Sequence, residues 1–119
     1  MTELRTSSET VPAARMDGDA LVMTVRGEID LHKSPDLRTE VLDLLQKNHP
    51  KRLILNLSQV PYMDSSAIAV LVEALQRVRK GGGSVLLTDL QPRVKSLLEI
   101  ARLGSIFVIC KDEAEALTK

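Results

Sequence analysis

Aromatic side chains are nearly missing from this sequence, which has one Tyr, one Phe and no Trp. Proteins that hold single-stranded nucleic acid stack bases on such rings, so that platform is excluded. A surplus of charge is missing too: Lys and Arg number 16, Asp and Glu number 16, and the formal net charge is +0. No overall field draws the chain to nucleic acid or to an anionic membrane. Cysteine occurs once, as Cys110 in an apolar run. That excludes an internal disulfide and a thiolate metal cluster, and it fits a reducing compartment. The longest unbroken apolar run, Ala67 to Val72, is far short of the roughly 20 residues of a membrane-spanning helix. Met1 to Arg15 mixes Glu3, Arg5 and Glu9 with hydroxyls, unlike the charged start and apolar middle of a signal peptide. A cytoplasmic protein is expected, with a protein or small-ligand partner, no nucleic acid and no membrane insertion.

What is present suits one packed core: 119 residues, 44% of them hydrophobic. Met1 to Thr10 is polar and reads as a flexible tail, leaving 11–119 as a single domain. Val11 to Met16 fits an edge strand although Pro12 counts against it, Asp17-Gly18-Asp19 fits a turn, and Ala20 to Val25 completes a β-hairpin. After the polar loop Gly27 to Lys33, Ser34-Pro35 predicts a helix start with Ser34 as N-cap, and His49-Pro50 predicts its end. Leu53 to Leu57 is short and continuously apolar, as a central parallel strand is. A helix follows over Ser65 to Lys80, then the glycine stop Gly81-Gly82-Gly83, where a left-handed cap is expected. Val85 to Leu87, Gln91 to Leu103, Ile106 to Ile109 and Asp112 to Lys119 continue as strand, helix, strand and helix. This is an α/β chain with a mixed sheet and right-handed crossovers.

The informative junction is Met63-Asp64-Ser65-Ser66, where a buried strand passes into a helix. Ligands and chemistry gather beyond the carboxyl ends of strands in open α/β sheets. A helix start also offers free N–H groups and partial positive charge, so phosphate on Ser65 or Ser66 would meet local donors. The plainer reading stands beside it, since Asp and Ser are preferred N-caps with no further role. The helix that follows has almost no polar face in its first turns. Either it is wedged tightly onto the sheet, or part of it around Ala67 and Val70 forms a partner-docking surface.

Asp30 and His32 should reach the same end of the sheet as Asp64 and Ser65, which invites a Ser-His-Asp triad. There is no G-x-S-x-G elbow and no glycine-rich oxyanion loop. No catalytic residue is therefore assigned, and the chain is expected not to be an enzyme. Gly81-Gly82-Gly83 lacks the Lys-Ser/Thr of a phosphate-binding loop and follows a helix instead of a strand. No cofactor and no metal are expected. The Arg93-Val94-Lys95 segment reads as a solvated helix face.

Taken together, Leu53 to Leu57 with Val60-Pro61-Tyr62-Met63-Asp64-Ser65-Ser66-Ala67, the upstream Gly27-Glu28-Ile29-Asp30, and the later Gly81-Gly82-Gly83 and Leu103-Gly104 resemble the STAS domains. The resemblance is to the bacterial anti-sigma-factor antagonists in particular and covers about residues 12 to 118. One position departs: Ala67, where the family often has Gly. The resemblance implies a STAS-type mixed β-sheet of about four to five strands with about four α-helices and βαβ crossovers. It also implies a switch. The unphosphorylated antagonist binds an anti-sigma factor that is itself a serine kinase, so releasing a sigma factor; the kinase phosphorylates the Ser after the Asp, here Ser65, and a phosphatase reverses it. Ser66 would be a helper or minor site, and Asp30 and Asp64 would line the loop and contact the kinase. A monomer or weak dimer is expected. The family also includes STAS subunits of lipid-transporting ABC systems and modules of stress-signalling assemblies, which pack on another protein without a kinase cycle.

Overall fold

The computed structural model describes residues 2–119. The chain runs β1 (Thr2–Leu4), β2 (Ala13–Asp17), β3 (Ala20–Arg26), α1 (Ser34–Asn48), β4 (Arg52–Gln59), α2 (Ser65–Lys80), β5 (Ser84–Thr88), α3 (Pro92–Ile100), β6 (Val108–Cys110) and α4 (Glu113–Leu117). The six strands form one sheet in sequence order, antiparallel from β1 to β3 and parallel from β3 to β6. The mixed sheet, its crossovers and its helices are those expected, with one strand more than the expected range.

The extra strand is β1. Residues 1–10 were expected to form a flexible tail; Met1 lies outside the described residues, but Thr2–Leu4 pairs antiparallel with β2. One side-chain anchor and one backbone anchor hold the segment that follows. Glu40 of α1, only 4% exposed, accepts the Ser7 hydroxyl at 2.8 Å and the Ser7 backbone N–H. Thr10 is buried, and its carbonyl accepts the Arg26 N–H at 2.9 Å. The chain β2 to β3 is consequently interior to the sheet, and β1 supplies that edge.

Because the strands advance in one direction from β3 to β6, right-handed crossovers must bring α1, α2 and α3 to the same face. The packing shows this. Leu21, Met23, Leu53, Leu55, Val85 and Leu87 pack with Leu37 and Val41 of α1, Leu71 and Leu75 of α2, and Val94 and Leu98 of α3. The alternate positions Ala20, Val22, Ile54, Leu86 and Cys110 face the other way, against Ala116 of α4. This two-residue alternation explains why β4 reads as continuously apolar: it is buried on both faces. The short α4 is held by its own polar clasp, in which Glu113 pairs with Arg15 at 3.0 Å and accepts from Asn56 Nδ2 at 2.6 Å.

Between the two long helices, Arg38 forks onto Glu73 at 2.7 and 2.9 Å. That hydrogen bond and ion pair hold the Glu73 carboxyl below the usual carboxylate range and raise Arg38 above its ordinary value. Of the three glycines after α2, the left-handed one is Gly82 (φ +81), while Gly81 occupies the cap position at φ −88. Gly83 is required for another reason: a Cβ there would lie 2.3 Å from the Lys51 carbonyl oxygen and 2.7 Å from Val78 Cγ1.

Candidate functional site at the β4–α2 junction

Two loops leave the carboxyl ends of β3 and β4 side by side. A register shift after Thr24 interrupts the parallel ladder, and backbone bonds then resume it: Gly27 N–H to the Gln59 carbonyl at 2.9 Å, Ile29 to Tyr62 at 3.0 Å, and Asp64 back to Ile29 at 3.1 Å. Gly27 sits at φ +97, a conformation that side chains rarely tolerate. Ile29, Val60 and Met63 are buried and anchor the loops in the core. Leu31 and the polar residues of the two loops are left at the rim.

Asp30 does not project into a binding loop as a free carboxylate. Its Oδ1 accepts the backbone N–H groups of His32 (2.9 Å) and Lys33 (3.1 Å), and its carbonyl accepts the Ser34 N–H at 2.8 Å. Asp30 thus organises the approach to α1. Ser34, expected as the N-cap, lies within α1 and is buried, and the cap position Lys33 makes no side-chain cap bond. The His32 side chain is exposed, and the Asp30 carboxylate is turned to backbone N–H groups, so the triad geometry is not assembled.

Asp64 is the N-cap of α2 in extended conformation. Its Oδ1 accepts the Ser66 N–H at 2.9 Å and the Ser66 hydroxyl, and its Oδ2 accepts the Leu31 N–H at 3.0 Å. The Ser66 hydroxyl above all, with the N–H groups of Ser66, Ala67 and Leu31, holds the Asp64 carboxyl below its ordinary range against a smaller opposing effect of burial. The capping reading therefore applies to Asp64 and Ser66. Ser65 is different. It occupies the first helical position, is exposed, and its hydroxyl makes no hydrogen bond among the described residues.

The expectation that Ala67 and Val70 form a docking surface is corrected by their burial, 0% and 5% exposed, in the core against the sheet. The methyl group by which Ala67 departs from glycine points into packed interior, not toward a visitor. The exposed apolar side chains near Ser65 come from elsewhere. Leu31 is 74% exposed, in the loop whose N–H Asp64 holds, and Ile100 of α3 is 80% exposed. Ile100 lines an open cavity of about 500 Å³ together with Tyr62, Met63, Asp64, Ser65 and Arg93. In that cavity the Arg93 guanidinium lies 4.6 Å over the Tyr62 ring. The sequence reading missed Leu31, Ile100 and this stacked pair. A lone Leu between charged residues was a signal for the first, whereas the pair needs the fold. Among the described residues no group of His, Cys, Asp or Glu side chains is arranged to hold a metal ion.

The STAS domain model matches residues 11–116. The chain belongs to the STAS domain family. This STAS chain is 29% identical over 99 residues to the anti-sigma F factor antagonist of Paenibacillus polymyxa, covering 83% of this chain and 85% of that protein. It is 34% identical over 87 residues to the anti-sigma-B factor antagonist of Bacillus subtilis, covering 73% and 78%. Its fold matches the Bacillus cell fate determinant SpoIIAA in the phosphorylated form with a TM-score of 0.68 at 20% identity, over 88% of this chain and 95% of that one. No helix among the described residues of this STAS domain is long and apolar enough to cross a membrane.

Proposed function

We propose that this STAS domain is an anti-sigma-factor antagonist switched by reversible phosphorylation of Ser65. Unphosphorylated, it binds an anti-sigma factor with serine-kinase activity, which frees a sigma factor; phosphorylated, it lets go, and a phosphatase resets it. The observation that carries the reading is the division of labour at the start of α2. Asp64 and Ser66 are consumed by the cap, while the Ser65 hydroxyl is exposed and makes no hydrogen bond among the described residues. Relatives of similar length are antagonists of anti-sigma factors, and one fold neighbour is a phosphorylated protein.

The contact surface we assign to the partner is the rim that includes Leu31, Ile100 and the exposed edge of Ser65. Asp64 and Ser66 set the loop that presents it, and Asp30 shapes its approach. A phosphoryl group of charge near −2 about 6 Å from a partner carboxylate costs on the order of 1 to 3 kcal/mol at effective dielectric between roughly 40 and 80. That is a loss of roughly tenfold to a hundredfold in affinity, enough to change partners.

The test is incubation with the cognate kinase and ATP followed by mass spectrometry. Phosphate on Ser65, absent from Ser65→Ala, is expected. Phosphate on another residue and never on Ser65 would overturn the assignment, and a chain that binds its partner without ever accepting phosphate would be a plain interaction module, as in a transporter or stress assembly.

A further inference from the structure

We propose that Arg93 is the residue that receives the phosphate: when Ser65 is phosphorylated, the Arg93 guanidinium leaves the face of Tyr62 and pairs with the phosphoryl oxygens. This rests on the reading of Ser65 as the modified residue and adds to it what the rest of the chain does with the new charge.

A phosphate on Ser65 arrives at a helix start where, among the described residues, the Ser65 N–H makes no bond but the next three donors are already in use. The Ser66 N–H is held by Asp64 Oδ1 at 2.9 Å, and the Ala67 and Ile68 N–H groups go to the Asp64 carbonyl at 3.1 and 3.2 Å. The Asp64 carboxylate, one residue away and held in its charged form, adds repulsion. The usual reason a helix N-terminus welcomes phosphate is therefore largely spent here. The compensating charge has to come from across the cavity.

Arg93 is the cation that lines that cavity with Ser65. It is exposed, and among the described residues it makes neither an ion pair nor a hydrogen bond; it stacks on Tyr62 at 4.6 Å. Tyr62 lies three residues before Ser65, so the stack keeps the guanidinium in the cavity that Ser65 also lines. An exposed cation–π contact is weak, whereas a guanidinium fork on a doubly charged phosphate is a strong, directional pair, so the exchange runs toward the phosphate. The anchoring of α3 supports this geometry. Gln91, its N-cap residue, makes no side-chain cap and instead donates Nε2 to the Ser58 carbonyl at 2.7 Å, which fastens the start of α3 to the end of β4. Arg93, two positions on, thus belongs to an element tied to the same loop region as Ser65.

The consequence is a latch within the chain. Phosphorylation would bridge the β4–α2 loop to α3 and release the Tyr62 ring, changing the rim a partner meets as well as its charge.

The experiment uses full-length protein carrying phosphoserine at position 65, installed during translation so that no kinase is required. Phosphorus NMR titration of this protein and of its Arg93→Gln variant reads the second phosphate ionisation directly. Asp64 acts equally in both proteins and drops out of the comparison. The expected result is a phosphate ionisation lower by roughly half a pH unit with Arg93 than with Gln, the partial shift an exposed counter-charge gives. A second readout is the Arg93 side-chain Nε–H resonance, which should move downfield and exchange more slowly on phosphorylation. Coincident titrations with an unmoved Arg93 resonance would overturn the proposal. Failure of a kinase to modify Ser65 would instead sink the functional reading and leave this measurement intact.

Discussion

The Asp64 carboxylate accepts the backbone N–H of Leu31 at 3.0 Å while its other oxygen caps α2 through Ser66. One side chain thereby joins two loops that the sequence separates by 33 positions. Asp64→Asn should uncouple them, because an amide has one acceptor oxygen for two tasks. The expected outcome is faster hydrogen exchange at the Leu31 amide with α2 retained, since Asn also caps well.

The same residue makes a pH prediction whose sign follows from its depressed ionisation. The folded carboxyl titrates below the ordinary value of 3.8, so its contribution to stability is complete above that value and is lost as pH falls through the lower folded one. Urea midpoints measured downward from neutral pH should show an acid-side decline that is shallower in Asp64→Asn. Identical slopes in the two proteins would mean that the cap does not favour the charged form.

Ser65 and Ser66 should separate cleanly. Ser65→Ala is expected to leave stability within about 0.5 kcal/mol, because the hydroxyl has no partner among the described residues to lose, yet to abolish phosphorylation and hold the complex with the kinase. Ser66→Ala removes a bond to the cap and should lower the unfolding midpoint while phosphate is still accepted. Ser65→Asp should weaken partner binding, measured by titration calorimetry, by roughly tenfold or more.

Much of this arrangement was legible because sequence period and burial agree. The continuous apolar run of β4, the cap chemistry of Asp64-Ser65-Ser66 and the glycine stop after α2 each point to the element found. What escaped had a local competitor. Thr2-Glu3-Leu4 is short and polar, and becomes a strand only because β2 offers it an edge. Ser34 looked like the cap because Pro follows it, whereas the cap position is Lys33 and the backbone bonds of Asp30 that shape this approach depend on a turn the sequence does not announce. In α2 every apolar residue looks alike on paper; the sheet decides that Ala67 and Val70 face inward.

That distinction is testable. Val70→Ala should cost about 1 to 3 kcal/mol of stability through a cavity. Leu31→Ala and Ile100→Ala, at exposed positions, should leave stability within about 0.5 kcal/mol and instead weaken the kinase complex by roughly tenfold each. Chemical denaturation and binding on these three variants and the unsubstituted protein would decide it. Loss of binding by Val70→Ala at unchanged stability would restore the helix face as the docking surface.

Gly83 carries the last prediction, and its reasoning is steric. The residue begins the descent into β5 with a φ that any residue could adopt, so backbone freedom is not what demands glycine. Its demand is space: an added Cβ would sit 2.3 Å from the Lys51 carbonyl oxygen, whose lone pair already accepts the Ser84 N–H at 3.0 Å to start the β4–β5 pairing. Val78 Cγ1, at 2.7 Å, could rotate away, but the carbonyl belongs to the ladder and has no such freedom. Gly83→Ala should therefore destabilise by roughly 2 kcal/mol or more. Gly81→Ala, whose Cβ would meet only the Val78 carbonyl oxygen at an ordinary 3.6 Å, should be nearly neutral. Equal unfolding midpoints for the two variants would show that the β4–β5 start yields more readily than its hydrogen bonding implies.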